Sequence, residues 1–257
     1  MTSEMLLAEK YLQIINDRGK RQLSLKRVYR NMRQEGLFLK AYANLYANNG
    51  ALTPGTDPDD TVQGMSRRRI KDIVQQLEAG TYRWKPVRRA FVPKANGQQR
   101  PISIPNWSDK LVQEVIRMIL EAYYEPQFKD NSHGFRPHRG CLTALEQIRT
   151  TWHGTRWFIE ADIQGCFDNI RHETILELLG RSIQDNRFLK LIKEMLRAGY
   201  MDDWQYHRTY SGTPQGGVVS PLLANIVLHE LDEAIVEQLI PHTPTETNAA
   251  AIVNTLT

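Results

Sequence analysis

The stretch "RWFIEADIQGCFDNI", residues 156–170, decides the fold class. Its first half alternates. Trp157, Ile159, Ala161 and Ile163 face one way, and Phe158, Glu160 and Asp162 face the other, the period-two pattern of a strand. Asp162 stands at the end of that strand, before a turn and a short helix. A carboxylate there can hold a divalent cation, because magnesium takes oxygen ligands from one or two carboxylates plus phosphates. It can equally cap the turn that follows.

Outward from this strand the chain reads mainly as helix. "EMLLAEKYLQIIND" (4–17) has apolar residues at helical spacing. "NNGALTPGTDPDDTVQG" (48–64) reads as a loop. "SRRRIKDIVQQLEAG" (66–80) is an amphipathic helix, capped by Ser66 and stopped by Gly80. "RRAFVPKANGQQRPISIP" (88–105) reads as a hairpin about an Asn96-Gly97 turn. A helix over 108–124 takes Ser108 as its cap, and helices follow at 172–180 and after the loop beginning "SHGFRPHRG". "WQYHRTYS" (204–211) is a strand, and "SPLLANIVLHELDEAIVEQL" (220–239) is a long helix with Ser220 as cap and Pro221 at its first position. Helices with separate short strands make the fold class α+β. After Pro241 the chain contains no Lys or Arg and reads as a disordered tail.

Composition is that of a globular chain of 257 residues, 41% hydrophobic and 24% charged. Cys141 and Cys166 form no close pair, which argues against a disulfide framework or a zinc site. No signal peptide or membrane span is expected, and cytoplasm is the expected location. The net charge of +4 is unevenly spread. Between Ser66 and Arg100 stand Arg67, Arg68, Arg69, Lys71, Arg83, Lys85, Arg88, Arg89, Lys94 and Arg100, opposed only by Asp72 and Glu78. Clustered cations are the electrostatic footprint of a nucleic-acid partner, with Tyr82 and Trp84 as candidate stacking groups; a solvated basic face is the plainer alternative.

Three further features bear on chemistry. "SGTPQGGVVSP" (211–221) sets glycines around Pro214-Gln215 ahead of a helix, so a backbone can approach a ligand there, or the turn simply needs glycine. Lys94 and Arg100 flank the hairpin turn, where two cations can clamp a triphosphate or merely protect a strand edge. Tyr200-Met201-Asp202-Asp203 spells a metal-binding polymerase tetrapeptide.

The order of basic hairpin, strand-end Asp and Pro-Gln-Gly turn resembles the fingers and palm of a reverse transcriptase. Between about residues 40 and 238 the chain resembles the group II intron-encoded reverse transcriptase/maturase family. The resemblance is carried by "AYANLYANNGALTPGTDPDDT", "RPISIPNWSDKLVQE", "SHGFRPHRGCLTAL", "RWFIEADIQGCFDNI" and "AGYMDDWQYHRTYSGTPQGGVVSPLLANIVLHELD".

This resemblance implies an RNA-directed DNA polymerase, a nucleotidyltransferase of a mobile element, with a maturase role on intron RNA. It implies two-metal Mg2+ chemistry. Asp162 matches the first metal-binding acid, with the backbone carbonyl of Ile163 as a further ligand. Lys94 and Arg100 match the triphosphate grip, Phe167 the residue beneath the incoming sugar, and Gln215 a wall of the dNTP pocket. Arg67, Arg68, Arg69, Arg88, Arg89 and Arg136 are the RNA-binding candidates. Asp168 is read as structural. His133, Arg136 and Arg139 fall in a motif near the template, where packing is an equal alternative.

The family's catalytic Tyr-x-Asp-Asp box lies downstream of the Pro-Gln-Gly turn, whereas Tyr200–Asp203 lies upstream of it, so Asp202 and Asp203 are expected to be surface acids in a connection. The family pattern stops after "LANIVLHELDEAIVEQL". The resemblance therefore predicts an incomplete palm and two-metal site, and a truncated fragment inactive alone. The expected division is an N-terminal helical extension and fingers over 1–64, fingers with the basic hairpin over 65–155, partial palm over 156–240, and the tail over 241–257. Expected partners are group II intron RNA, RNA template with DNA primer, dNTPs and a complementing downstream chain. The alternative is a non-enzymatic RNA-binding module that assists intron splicing.

Overall fold

The structure, a computed structural model, describes residues 3–46, 52–93, 97–155, 160–213 and 216–239. The described elements run α1 (Ser3–Lys20), β1 (Leu25–Lys26), α2 (Val28–Met32), α3 (Glu35–Tyr46), α4 (Arg67–Ala79), β2 (Val87–Pro93), β3 (Gln99–Ile104) and α5 (Trp107–Tyr124). After a 3-10 turn at Glu125–Gln127 come α6 (Cys141–Thr151), α7 (Cys166–Asn169), α8 (His172–Ser182), β4 (Ile183–Gln184), α9 (Asn186–Leu196), β5 (Tyr200–Asp202), β6 (Gln205–His207) and α10 (Ser220–Ala234), ending in a wide turn at Ile235–Leu239. The α+β expectation is met.

Helix α5 is the axle. Thirteen of its eighteen residues are buried, including Leu111, Val112, Val115, Ile116, Ile119 and Leu120. A helix buried over most of its surface belongs in a core, and the polar Asp109, Gln113 and Glu114 are buried with the rest. One hydrophobic cluster extends from Ala8 and Ile15 on α1, through α2, α3 and α4, to α8, α9 and Leu222, Leu223 and Ile226 on α10. The expected segments 1–64, 65–155 and 156–240 all contribute to it. Residues 241–257 lie outside the described residues.

Two small sheets tie distant parts of the chain together. β1 pairs in parallel with β4, Leu25 opposite Ile183. The larger sheet has the order β3-β2-β5-β6, with β2 antiparallel to β3 and parallel to β5. The basic hairpin is therefore β2–β3, registered from Arg88↔Ile104 to Pro93↔Gln99. Gly97 takes φ +80°, as a tight turn requires, while Asn96 lies outside the described residues.

Several local readings are corrected. The helix read from Ser108 starts at Trp107, with Asn106 in the capping position. The Asn106 side chain instead grips the preceding loop, accepting from Asp57 N (2.8 Å) and donating to Thr56 Oγ1 (3.0 Å). Ser108 serves that loop too, donating from N and Oγ to the buried Asp60 carboxylate. Ser220 is the first helical residue of α10 rather than its cap, which is Val219. Ser66 and Gly80 act as expected: Ser66 accepts from Arg69 N, and Gly80 is left-handed at φ 72°.

The strand read over 156–163 is not seen in its described part. Residues 156–159 lie outside the described residues, and 160–163 carry no strand pairing. Side-chain alternation states a preference, but a strand exists only where a neighbour takes its backbone hydrogen bonds.

Candidate functional site

Three segments contribute to the candidate site: the turn after Asp162, the segment leading into Pro214-Gln215, and the β2–β3 hairpin. The first follows Asp162, which is exposed. Gly165 turns the chain in the left-handed region (φ 60°), Asn169 Nδ2 donates to Gln164 O, and α7 forms a single turn. Burial and the neighbouring Asp162 carboxylate push the Cys166 thiol above its usual range. Phe167, expected beneath a sugar, is 6% exposed and meets Phe135 edge to face at 5.9 Å.

The second turn leads into Pro214-Gln215. Thr213 N donates to Phe167 O and Gly212 N to Ile170 O, each at 2.7 Å. Ser211 Oγ donates to Asp168 O, and His172 Nε2 to Gly212 O at 2.8 Å. Gly212 has φ +82°, and a Cβ there would stand 2.8 Å from the carbonyl oxygens of Phe167 and Asp168. Only glycine permits this approach.

Pro214 and Gln215 lie outside the described residues. The chain resumes at Gly216, φ +98°, where a Cβ would stand 2.5 Å from Ser103 O on β3. The turn is thus pinned at one end to the segment after Asp162 and at the other to the basic hairpin. Val218 N, donating to Gln113 Oε1 of α5, fixes the entry to α10.

The third turn is the hairpin. Arg100 lies on β3 opposite Val92, while Lys94 lies outside the described residues. Ile102 and Ile104 share the strand face of Arg100. With Leu45, Trp107, Lys110 and Val218 they line an open recess of ≈ 350 Å3. The recess is lined mainly by apolar residues, with Lys110 as the cation among them, a shape that suits a base next to a phosphate.

Most of the expected RNA-binding arginines have internal partners. Arg67 binds Glu4 and Glu35, which together raise its pKa, and Arg69 binds the buried Asp60. Arg88 Nε donates to Pro54 O. Arg89 lies over the Tyr200 ring at 3.6 Å. Arg136 is corrected from an RNA contact to an internal strut. It is 7% exposed, and its guanidinium is taken up by Glu125 and the carbonyls of Lys129 and Ser132. Arg68 is exposed on α4.

His133 is buried between Thr143 and Gln147, and Arg139 pairs with Asp130, so these two also pack locally. Tyr82 and Trp84, read as stacking groups, are also corrected. Tyr82 is buried and donates to Asp109 Oδ1 at 2.6 Å, and Trp84 donates to Leu191 O. Both are core residues whose polar ends found partners far along the chain.

Tyr200–Asp202 is β5, and Asp203 and Trp204, both at positive φ, close its hairpin to β6. Among the described residues no group of three His, Cys, Asp or Glu side chains gathers in a metal-binding arrangement. Asp162 as a single exposed carboxylate suits one magnesium ion, which binds through one or two carboxylates and substrate phosphates. No described helix is long and apolar enough to cross a membrane.

The turn before α10 thus touches both the segment after Asp162 and the β2–β3 hairpin beside the recess. Residues 92–249 match the family described as reverse transcriptase (RNA-dependent DNA polymerase), and the chain belongs to that family.

Its similarity is to intron-encoded members. It is 52% identical over 212 residues to the group II intron-encoded protein LtrA of Lactococcus lactis subsp. cremoris, covering 82% of this chain and 35% of that protein. It is 48% identical over 199 residues to an uncharacterized 91 kDa protein in the cob intron of Schizosaccharomyces pombe, covering 77% and 24%. Protein YkfC of Escherichia coli is 33% identical over 225 residues, covering 85% and 59%. The chain thus spans about a third of the length of LtrA. A chain of the partial Cas6-RT-Cas1–Cas2 complex shares the fold, with TM-score 0.54 and 16% identity, covering 82% of this chain and 35% of that one.

Proposed function

We propose that this chain supplies the fingers and the first part of the palm of an RNA-directed DNA polymerase that serves a group II intron. The observation that carries the reading is the pinning of one turn at both ends, Thr213 on Phe167 and Gly216 on Ser103. It joins the acid-bearing turn to the basic hairpin.

In this reading Asp162 and the Ile163 carbonyl hold a Mg2+ ion. The ion, when bound, neutralises phosphate charge as a nucleotide is joined to a primer. Lys94 and Arg100 grip the triphosphate. The bulk of Phe167 beneath the sugar disfavours a 2′-hydroxyl and so selects deoxynucleotides. Gln215 forms a wall of the pocket, and the recess lined by Ile102 and Ile104 takes a base. Arg68 and Arg88 contribute to holding RNA. Intron RNA, RNA template with DNA primer, dNTPs and a complementing segment are the proposed partners, in the cytoplasm.

The test is primer extension on an RNA template with dNTPs and Mg2+, using this chain alone and then with the downstream portion of a relative added as a second polypeptide. Asp162→Asn is expected to lower extension by roughly 10²-fold or more, because it removes a fixed charge at the reacting phosphates. Extension unchanged by Asp162→Asn overturns the assignment.

A second reading, an RNA-binding module that assists splicing, draws support from the exposed Arg68 on α4. It predicts intron-RNA binding that survives Asp162→Asn and no extension under either condition.

A further inference from the structure

The hairpin sheet has a second face. Register places Arg89 opposite Ser103, Val87 opposite Tyr200, and Tyr200 opposite His207. Paired residues share a face, and alternate residues along a strand lie on opposite faces. Arg89, Ser103, Tyr200 and His207 are therefore on one side of the sheet, and Arg100, Ile102 and Ile104 on the other.

Arg89, Tyr200 and His207 form a continuous stack across three strands. The Arg89 guanidinium lies 3.6 Å over the Tyr200 ring, and that ring is stacked on His207 at 5.0 Å with planes 14° apart. The stack borders a cleft of ≈ 360 Å3 walled by the segment 208–213 and by Asp168. Arg208 and Tyr210 stand at its mouth, both exposed, Tyr210 at 77%.

Two polar atoms of lining residues lack partners. Arg89 Nε and Thr213 Oγ1 are buried with no hydrogen-bond partner, and Thr213 is 2% exposed. A buried donor without a partner carries an unmet desolvation cost, which a ligand acceptor removes. Asp168 is the one acid among the lining residues, against Arg89 and Arg208.

We propose that this face is a second nucleic-acid site, which takes a segment of single-stranded RNA. A phosphate is held by Arg89 and Arg208, with Thr213 Oγ1 donating to one of its oxygens. A base stacks on the exposed Tyr210 ring, beside the guanidinium–phenol–imidazole stack. Aromatic planes interleaved with arginines are how unpaired strands are held without sequence preference. The site lies on the opposite sheet face from the recess. The choice of RNA over DNA rests on the proposed function, whereas the stacking and phosphate contacts do not.

The experiment is a fluorescence-anisotropy titration of a labelled, unstructured single-stranded RNA of about ten nucleotides, a length within the usual site sizes, with the same sequence as DNA in parallel. The double variant Arg208→Gln/Tyr210→Ser changes only exposed side chains, so folding is retained. It is expected to weaken RNA binding about ten-fold, while Leu142→Ser, an exposed change on α6 that lines neither cleft, binds like the wild type. Photocrosslinking with 4-thiouridine RNA is expected to mark the peptide containing Tyr200–Tyr210.

Binding by the double variant within two-fold of wild type, no binding by wild type, or crosslinks confined to the strand face of Arg100 would each overturn the proposal. Tighter binding of DNA overturns the choice of RNA. Failure of the polymerase reading shows in primer extension and leaves these titrations unchanged.

Discussion

Helices α5 and α6 answer the same chain physics in opposite ways. α5 buries thirteen of eighteen residues, whereas α6 buries one of eleven, Ala144, and leaves Leu142 and Leu145 exposed. Even the charges of α5 are placed. Glu114 is buried and receives Arg117 in a two-point contact together with Asn44 Nδ2. α6 is held mainly at its start, where Gly140 N donates to Thr143 Oγ1 and His133 bridges Thr143 and Gln147. Packing secures one helix and local polar contacts secure the other, so the same type of substitution has different consequences in each.

The largest expected effect tests that contrast directly. Ile116→Ala on α5 removes a fully buried side chain and is expected to cost roughly 2–5 kcal/mol in urea unfolding. A cost below 1 kcal/mol would mean that α5 is not the centre of the core. Next comes Gly212→Ala, which forces a Cβ against two carbonyl oxygens at positive φ. Its expected cost is about 1–3 kcal/mol. If that variant keeps wild-type stability, the pinned turn is looser than its geometry requires.

A subtler effect concerns acids inside the helical core. Burial pushes the Asp109 carboxyl up to about 7, although Tyr82 and Lys85 N donate to it, and burial pushes Asp232 up to about 6. A folded-state pKa above the unfolded value means that the folded protein binds more protons. This stabilisation is full below about pH 4 and is lost as pH rises through 6 to 7. Melting curves across pH 4–8 should therefore show wild type losing stability relative to Asp109→Asn as pH rises. Parallel curves would remove Asp109 from the account. The smallest effect is Leu142→Ser on α6, expected within about 0.5 kcal/mol by urea unfolding. A loss comparable to Ile116→Ala would show that this face is covered in solution.

The sequence displayed some of this architecture plainly. The Ser66 cap, the Gly80 stop, the β2–β3 hairpin and the apolar run of α5 depend on neighbours within a few residues, and local rules found them. α9 carries the same kind of signal, with Phe188, Leu191, Ile192 and Met195 at helical spacing. The site was only partly legible. Asp162 and the glycines of 211–217 marked its turns, but their meeting depends on Thr213 reaching Phe167 and Gly216 reaching Ser103. No local rule encodes such contacts.

Charge was the least legible feature. The basic count over 66–100 suggested an open cationic surface. Arg67 reaches Glu4 and Arg69 reaches Asp60 only because α1, α4 and the loop before it fold together. The stack of Arg89, Tyr200 and His207 was equally hidden, because it joins β2 to strands more than a hundred residues away. Alternation at 156–163 reports side-chain preference and says nothing of a partner strand, and its described part, 160–163, has none.

The small parallel pair β1–β4 has a consequence for any attempt to shorten the chain. Leu25 and Lys26 are stitched to Ile183 and Gln184, and Tyr29 N donates to Asp185 Oδ2 at 2.9 Å. Gly19 of α1 lies so close to Tyr123 O that a Cβ would stand 2.1 Å from it. The first forty-odd residues thus belong to the core: α1 and α3 pack on α5, and α2 touches both α5 and α9. Trimming them to obtain a minimal fingers–palm piece would act as a deletion in the middle of the core. A shortened piece that keeps these contacts must retain α1, wherever it is made to end.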